Sequence, residues 1–342
     1  MAITSHDVAR LAGVSQATVS RALRGDTLVA AATKAKVLNA AEALGYVPSA
    51  AGRNLATRRT GRIGVVITDL ANPFYPHLVS PLHEEMDQRG YRMVVFAEHS
   101  EGDIAAEQLL DGSIDGVVLI TAKVDSVLPS DLTRRGLPFV FLNRESLLDL
   151  GDASVVDNAE GGRSAAELLV GLGHRQIAAV FGPENTSTGR DREAGFRRAL
   201  SEAGVGLGSS SVRHGPFEFD TGYRGLLEIL EGDTRPTALF CGNDVIAIGA
   251  LNAAMRAGVS VPEDLSVVGF DDIPMASWEA FRLTTIGHNV AEMAATAARL
   301  VIERIEASPK PLAPRRLVVP TRVVNRDTHA GPRTAPNGDG SN

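Results

Sequence analysis

The chain has a single cysteine, Cys241, in 342 residues. That excludes a disulfide framework and a cysteine-rich zinc site. Cys241 lies in an apolar run, TALFCG, and reads as a buried, inert thiol. Aromatics are scarce, at 5%, while Gly and Ala abound, which suits closely packed helices and tight βα turns. No apolar run approaches the ~18–20 residues of a membrane span. The start, MAITSHDVAR, lacks a basic segment followed by an apolar core, so no secretory signal is expected. The expectation is a cytoplasmic protein, working at the nucleoid, with no membrane partner. No G-x-S-x-G, P-loop or H-E-x-x-H motif occurs. The one Gly-rich run, GVGLGSS (204–210), does not follow a strand-like segment, which weakens a dinucleotide reading. The eight His show no metal spacing. No catalytic residue, metal or cofactor is therefore expected, and the chain does not read as an enzyme.

What is present is divided by charge. Residues 1–62 hold nine Lys/Arg against three Asp/Glu, a net of +6. The remainder holds 25 against 38, a net of −13. A basic head on an acidic body suggests that only the head meets a polyanion.

Within that head, residues 6–24 read HDVARLAGVSQATVSRALR. Ala9, Gly13 and Val19 have helix-turn-helix spacing. A small Ala lets two helices cross closely, Gly13 takes the tight turn, and Val19 packs the second helix on the first. Ser15 stands at the N-cap of the second helix. Helices are expected at 5–12, 15–23 and 33–44, the third with a stripe of Val37, Ala40, Ala41 and Leu44 and a stop at Gly45. Gln16, Ala17 and Arg21 share the face that a major-groove reader presents. Gln can bond adenine bidentately, Ala can touch a thymine methyl, and Arg can reach guanine or phosphate. Ser5, Ser15, Thr18 and Ser20 offer short hydroxyls to phosphates. The plain alternative is a small helical bundle with a solvated polar face.

Residues 47–61 read as a linker with a short helix, interrupted by Gly52. From Ile63 the pattern changes to continuous apolar runs alternating with amphipathic segments. Runs at 63–69, 91–97, 116–121 and 139–142 are followed by more at 176–182, 237–242, 265–270 and 283–288, with a strand-like RRLVVPTRVV at 315–324. Strands apolar on both faces imply parallel sheets covered by helices, here two doubly wound units in tandem. Ligands of such sheets sit at the carboxyl ends of the strands. The polar end, 328–342, reads as a disordered tail without coiled-coil heptads.

The chain resembles the lactose-repressor (LacI/GalR) family of transcriptional regulators over about residues 3–326. The resemblance is carried by DVARLAGVSQATVSRAL, LGYVPSAAGRNLA, IGVVITDLANPFY, VDNAEGG, GLGHRQIA, GPENTSTGRDREAGFRRAL, CGNDVIAIGAL, VPEDLSVVGFDD and LTTI, in that order. It implies an N-terminal all-α helix-turn-helix head (1–46), a hinge (47–61) and an α/β periplasmic-binding-protein-like core (62–327) of two doubly wound parallel-sheet subdomains. The chain should cross between these near 158–161, 287–290 and 320–322. The N-subdomain is then about 62–158 with 290–319, and the C-subdomain about 161–287 with 322–327.

The resemblance also implies sites. In the hinge, Leu55 matches a leucine that wedges into the minor groove. Arg53, with Arg58 and Arg59, stands ready for phosphates. The cleft positions are Phe74, Tyr75, Asn143, Thr186, Thr188, Arg192, Phe217, Asn243 and Asp271. Arg192, Asn243 and Asp271 can bond adjacent hydroxyls, and Phe74 and Phe217 can face a sugar ring. Arg192 and Asp271 could also pair with each other. Structural alternatives stand beside these: Asn243 as a helix cap, Asp271 as a turn cap, Phe74 as core.

The implied function is a repressor that binds double-stranded DNA at a palindromic operator as a homodimer. A small effector, a sugar or sugar derivative, would act as inducer or corepressor. A nucleoside, purine or other metabolite is the alternative effector, although Thr186 stands where a purine-specific relative has Arg. A plain sugar-binding module is the alternative outside regulation, and an architectural DNA-binding protein a further one.

Overall fold

The computed structural model describes residues 3–23, 26–46, 59–68, 70–97, 106–232, 235–308 and 312–333. The chain divides into two units, Met1–Thr60 and Gly61–Asn342.

The first unit is built on three helices, α1 (Ser5–Ala12), α2 (Gln16–Leu23) and α3 (Ala31–Ala43). The Asp7 carboxylate accepts from the Thr4 backbone N–H at 3.0 Å and the Thr4 hydroxyl at 2.8 Å, fixing the start of α1. Those bonds hold the Asp7 carboxyl below its ordinary pKa. Gly13 turns the chain at φ 65°, a left-handed conformation that favours glycine. Ser15 Oγ accepts from the Thr18 N–H at 3.1 Å, so it caps α2. α3 has no side-chain cap at Ala30, but it ends in a Schellman turn: Gly45 at φ 60°, with the Tyr46 N–H on the Ala41 carbonyl at 2.8 Å. Val8, Val19, Ala22 and Val37 form the buried centre, and Ala9 meets them where the helices cross.

The second unit contains two six-stranded sheets. One has the order β11-β5-β4-β3-β1-β2, from β1 (Arg62–Ile67), β2 (Arg92–Ala97), β3 (Gly116–Leu119), β4 (Phe139–Leu142), β5 (Asp152–Val156) and β11 (Arg316–Val319), all parallel. The other has the order β12-β10-β9-β8-β6-β7, from β6 (Ile177–Phe181), β7 (Val212–His214), β8 (Ala238–Cys241), β9 (Ser266–Asp271), β10 (Thr284–His288) and β12 (Thr321–Val324). Only its β10–β12 pair is antiparallel. Strand order reverses beside β1 and beside β6. The crevices outside the carboxyl ends of the strands at those points are where doubly wound sheets hold ligands.

The chain passes between the sheets three times. Asp157 leads from β5 into α7 (Asn158–Gly171), and Asn289 leads from β10 into α11 (Val290–Ala307). Each caps the helix it enters, through the N–H groups of Glu160 and Glu292. Pro320 separates β11 from β12. The apolar segment 315–324 is thus two strands in different sheets, because a proline has no N–H to carry one ladder onward. The remaining helices are α4 (Phe74–Gln88), α5 (Ala106–Leu109), α6 (Leu128–Arg135), α8 (Ser187–Glu202), α9 (Phe219–Leu230) and α10 (Asp244–Ala257).

Three features depart from the sequence reading. β5 was hidden by its polar residues: Asp152 is fully buried between Arg304 and Arg315, at 2.7 Å from each. β7 is a three-residue edge strand. The supposed tail is ordered to at least residue 333. Thr328 donates to the Val267 carbonyl and accepts from the Thr284 N–H, while the Ala330 carbonyl accepts from Ser266 and pairs with His174. Hydroxyl and imidazole bonds, with the Val267 N–H donating to the Thr328 carbonyl at 2.7 Å, fasten that segment rather than apolar burial. Residues 334–342 lie outside the described residues. Cys241 is fully buried, and burial pushes its thiol pKa upward.

Close helix packing sets the cleft geometry. A Cβ on Gly195 of α8 would stand 1.9 Å from the Ala159 carbonyl oxygen of α7, and one on Gly162 would stand 2.1 Å from the Arg192 carbonyl. Backbone meets backbone here, so nothing flexible can yield. Gly195→Ala is therefore expected to force α7 and α8 apart and cost about 1–3 kcal/mol, read from the urea midpoint of the second unit.

Candidate functional site

The head presents Gln16, Ala17, Ser20 and Arg21 on the exposed face of α2, while Val19 and Ala22 point inward. Gln16 Nε2 donates to Ser5 Oγ at 2.9 Å, joining the exposed starts of α1 and α2. Ser15 Oγ lies 2.9 Å from Thr18 Oγ1, so those two hydroxyls are tied to each other as well as to the cap. Arg53, Leu55, Arg58 and Gly52 lie outside the described residues.

In the second unit, the carboxyl ends of both sheets surround a small cavity of about 20 Å³. Phe74 and Tyr75 reach it from the start of α4, Asn143 from the end of β4, and Thr188 and Arg192 from the first turns of α8. Phe217 arrives after β7, Asn243 after β8, and Asp271 as the last residue of β9. Thr186 is not in the lining. It is the N-cap of α8, accepting from the Gly189 N–H and donating to the Pro183 carbonyl. Asn243 takes both of its readings: Oδ1 caps α10 through the Ile246 N–H at 2.9 Å, and the side chain lines the cavity.

Two lining residues were not singled out from the sequence, Asn72 and Arg144. Asn72 sits two residues before Phe74, whose N–H it accepts, and its Nδ2 donates to the Phe217 carbonyl across the cleft at 2.8 Å. Its place inside LANPFY was the available signal. Arg144 directly follows Asn143, and nothing in the local pattern marked it.

Arg192 is the centre of the site. It is 2% exposed, with Nη2 on Asp271 Oδ1 at 2.8 Å, Nε on Asn158 Oδ1 at 2.8 Å and Nη1 on the Gly242 carbonyl at 2.7 Å. Its guanidinium lies 3.7 Å from the Phe270 ring centre. Burial raises the Asp271 carboxyl pKa and lowers that of Arg192, and each is pulled back by the other's charge. Asp271 and Asn143 hold positive φ, 107° and 73°. Such strained backbone costs about 1–3 kcal/mol per residue and persists only where the surroundings enforce it.

The lining is not electrically balanced. Arg144 is 9% exposed, its Nε is buried without a partner, and it forms no ion pair among the described residues. The Phe217 ring lies 5.2 Å from its guanidinium. Asn143 Oδ1 is likewise buried and unpartnered.

Further contacts span the cleft. The Val124 N–H donates to the Asn185 carbonyl at 3.0 Å, and the Glu145 N–H to Ser187 Oγ at 3.1 Å. Behind Phe74, with ring centres 6.5 Å apart, lies His288, 6% exposed at the crossing into α11. Neither ring nitrogen has a partner, and burial pushes its pKa down to about 3.

Comparison with known proteins matches residues 4–49 to the model for bacterial regulatory proteins of the lacI family, and residues 166–329 to the periplasmic binding protein-like domain. The chain is 34% identical over 330 residues to the HTH-type transcriptional regulator CelR of Thermobifida fusca, covering 94% of this chain and 96% of that one. Among solved structures, a CelR–cellobiose complex is 32% identical with a TM-score of 0.73, covering 95% and 99% of the two chains. A lac repressor dimer bound to operator and the anti-inducer ONPF is 28% identical with a TM-score of 0.85, covering 96% and 100%.

Arg192→Met is expected to strand the buried Asp271 charge and cost about 3–5 kcal/mol in urea unfolding, with a large part recovered when Asp271→Asn is added. His288 makes stability depend on pH. Below its ordinary pKa of 6.5 the unfolded chain takes up a proton that the folded chain refuses until about pH 3. Stability from neutral His288 is complete above pH 6.5 and is lost as pH falls, by up to about 1.4 kcal/mol per unit. Urea midpoints at about pH 7, 6 and 5 should show this slope in the parent chain and a flatter one in His288→Gln.

Proposed function

The chain belongs to the LacI family of bacterial transcriptional regulators, and from that premise we propose that it represses transcription at a palindromic operator under the control of a sugar-class ligand held between its two sheets. The observation that carries the reading is the cavity at the carboxyl ends of both sheets. Its placed polar groups, Asn143, Arg192, Asn243 and Asp271, stand beside the apolar faces of Phe74 and Phe217. That combination of few polar groups and flat apolar faces suits a polyol ring. The similar CelR structure contains cellobiose, and the lac repressor structure is a dimer on operator. Both support the same roles here.

In this reading α2 enters the major groove, with Gln16, Ala17 and Arg21 at base edges and Ser5, Ser15, Thr18 and Ser20 toward phosphates. Arg53 and Leu55 of the linker complete the DNA contacts. Two copies related by a two-fold axis read the two half-sites. The ligand acts by contacting one arrangement of the two sheets better than another. The bonds that span the cleft, Asn72 to Phe217, Val124 to Asn185 and Glu145 to Ser187, distinguish those arrangements. By linkage the operator must change ligand affinity by the same factor as the ligand changes operator affinity. No helix among the described residues is long and apolar enough to cross a membrane, and the site of action proposed is the cytoplasmic nucleoid.

Footprinting should give a symmetric site, and Gln16→Ala should weaken operator binding by about 1–3 kcal/mol at fixed salt. Gel shifts with candidate sugars should show release for an inducer or tightening for a corepressor. Asp271→Asn should abolish that response while operator binding remains. An asymmetric or direct-repeat footprint, or a response to sugar undiminished in Asp271→Asn, would count against the proposal.

A further inference from the structure

We propose that the ligand of the cleft is an anionic polyol, a sugar-sized molecule bearing a carboxylate or phosphate, and that Arg144 is the residue that selects it. The inference rests on the cleft being the effector site. It starts from charge. Two guanidiniums, those of Arg144 and Arg192, line the cavity, with one carboxylate, Asp271. That carboxylate bonds Arg192. It lies within electrostatic reach of Arg144, but its ion pair is with Arg192, on which the buried Asp244 carboxylate also acts.

The neighbouring acids are engaged elsewhere. Asp272 is held by Arg326 at 2.6 Å and Glu145 by Arg316 at 2.8 Å. Asp244 accepts from the Thr285 hydroxyl and the Ile273 N–H. Arg144 therefore stands in the wall as a buried cation with no ion pair among the described residues, its Nε without any partner. A buried charge of this kind calls for a counter-charge of matching geometry, and a planar guanidinium matches a carboxylate or phosphate oxyanion.

The second observation sits one residue away. Asn143 Oδ1 is buried without a partner, on backbone held at φ 73°. It is an acceptor that needs a donor, and a ligand hydroxyl supplies one. An oxyanion on Arg144 and a hydroxyl on Asn143 satisfy both orphaned groups within one small molecule.

The test uses the full chain at matched ionic strength, by calorimetry and thermal shift. The probes are glucose, galactose, gluconate, glucuronate, galacturonate, glucose 6-phosphate, galactose 6-phosphate and inorganic phosphate alone. At least one acid or phosphate should bind roughly 10- to 100-fold tighter than its neutral parent, and that preference should collapse in Arg144→Gln. Which arm responds separates carboxylate from phosphate. Independently of the probes, ligand-free Arg144→Gln should melt higher than the parent chain, because it removes an uncompensated charge.

Equal affinity for acid and neutral parent overturns the inference, as does a preference that survives in Arg144→Gln. Inorganic phosphate reproducing the whole effect of the sugar phosphates overturns the polyol part. A silent panel together with an Arg144→Gln chain that melts no higher than its parent overturns it too. Its failure is separable from that of the cleft reading. Neutral sugars that bind and are lost in Asp271→Asn leave the cleft standing. Sugar binding that survives Asp271→Asn removes the cleft itself.

Discussion

The buried guanidinium of Arg192 is the constraint on which the cleft between the two sheets depends. Its three bonds reach three different elements: Asn158 at the start of α7, the Gly242 carbonyl after β8, and Asp271 at the end of β9. None of these is close to Arg192 in sequence, and each brings a strand end or helix start to one point. The Phe270 ring lies under the same guanidinium, 3.7 Å from its carbon to the ring centre. A charge this deep is tolerated only when every direction is answered, and here the answers come from the surrounding backbone as well as from one carboxylate. The arrangement leaves Asp271 on strained backbone, which it keeps because Arg192 fixes where its carboxylate must be.

That arrangement is possible because α7 and α8 approach to backbone contact. Gly162 and Gly195 leave no Cβ between the helices, so Asn158 and Arg192 come within reach of each other. Thr186, which does not reach the cavity, serves the same end. By capping α8 it fixes the start of the helix that carries Thr188 and Arg192. Residues outside the cavity thus decide where the cavity-lining ones stand.

The legible parts of the sequence were those governed by local rules. The helix-turn-helix follows from Gly13 at the turn, Ser15 at the cap and the inward period of Val19 and Ala22. The two tandem sheets follow from strands apolar on both faces. Most of the cavity lining lay at strand ends, where doubly wound sheets place it. The rest depended on pairing between distant segments. Asp152 made β5 look like a loop, because its partners Arg304 and Arg315 come from the far end of the chain. Residues 328–333 looked like a tail, because their anchors to β9 and β10 are polar bonds, mostly through the Thr328 and Ser266 hydroxyls, rather than apolar side chains. Arg144 was unremarkable among 34 Lys and Arg until the fold put it in the cavity wall with its Nε buried and unpartnered.

The crossings and the site are made from shared parts, and this bears on how a ligand could move the sheets. Asp157 is the first crossing residue and the cap of α7, and the next residue, Asn158, holds Arg192. Swinging one sheet against the other at Asp157 therefore tilts the helix end that positions the guanidinium. The second crossing places His288 behind Phe74, so a change of angle there alters the packing of a cavity wall. Pro320, with its fixed φ, keeps the third connection short and stiff. With all three connections confined to single residues, the sheets can rotate about them but cannot slide far apart. A ligand bridging Asn143 on one side and Arg192 on the other contacts both sheets at once. Its binding energy then depends on the angle between them, which is the differential contact that an allosteric ligand requires.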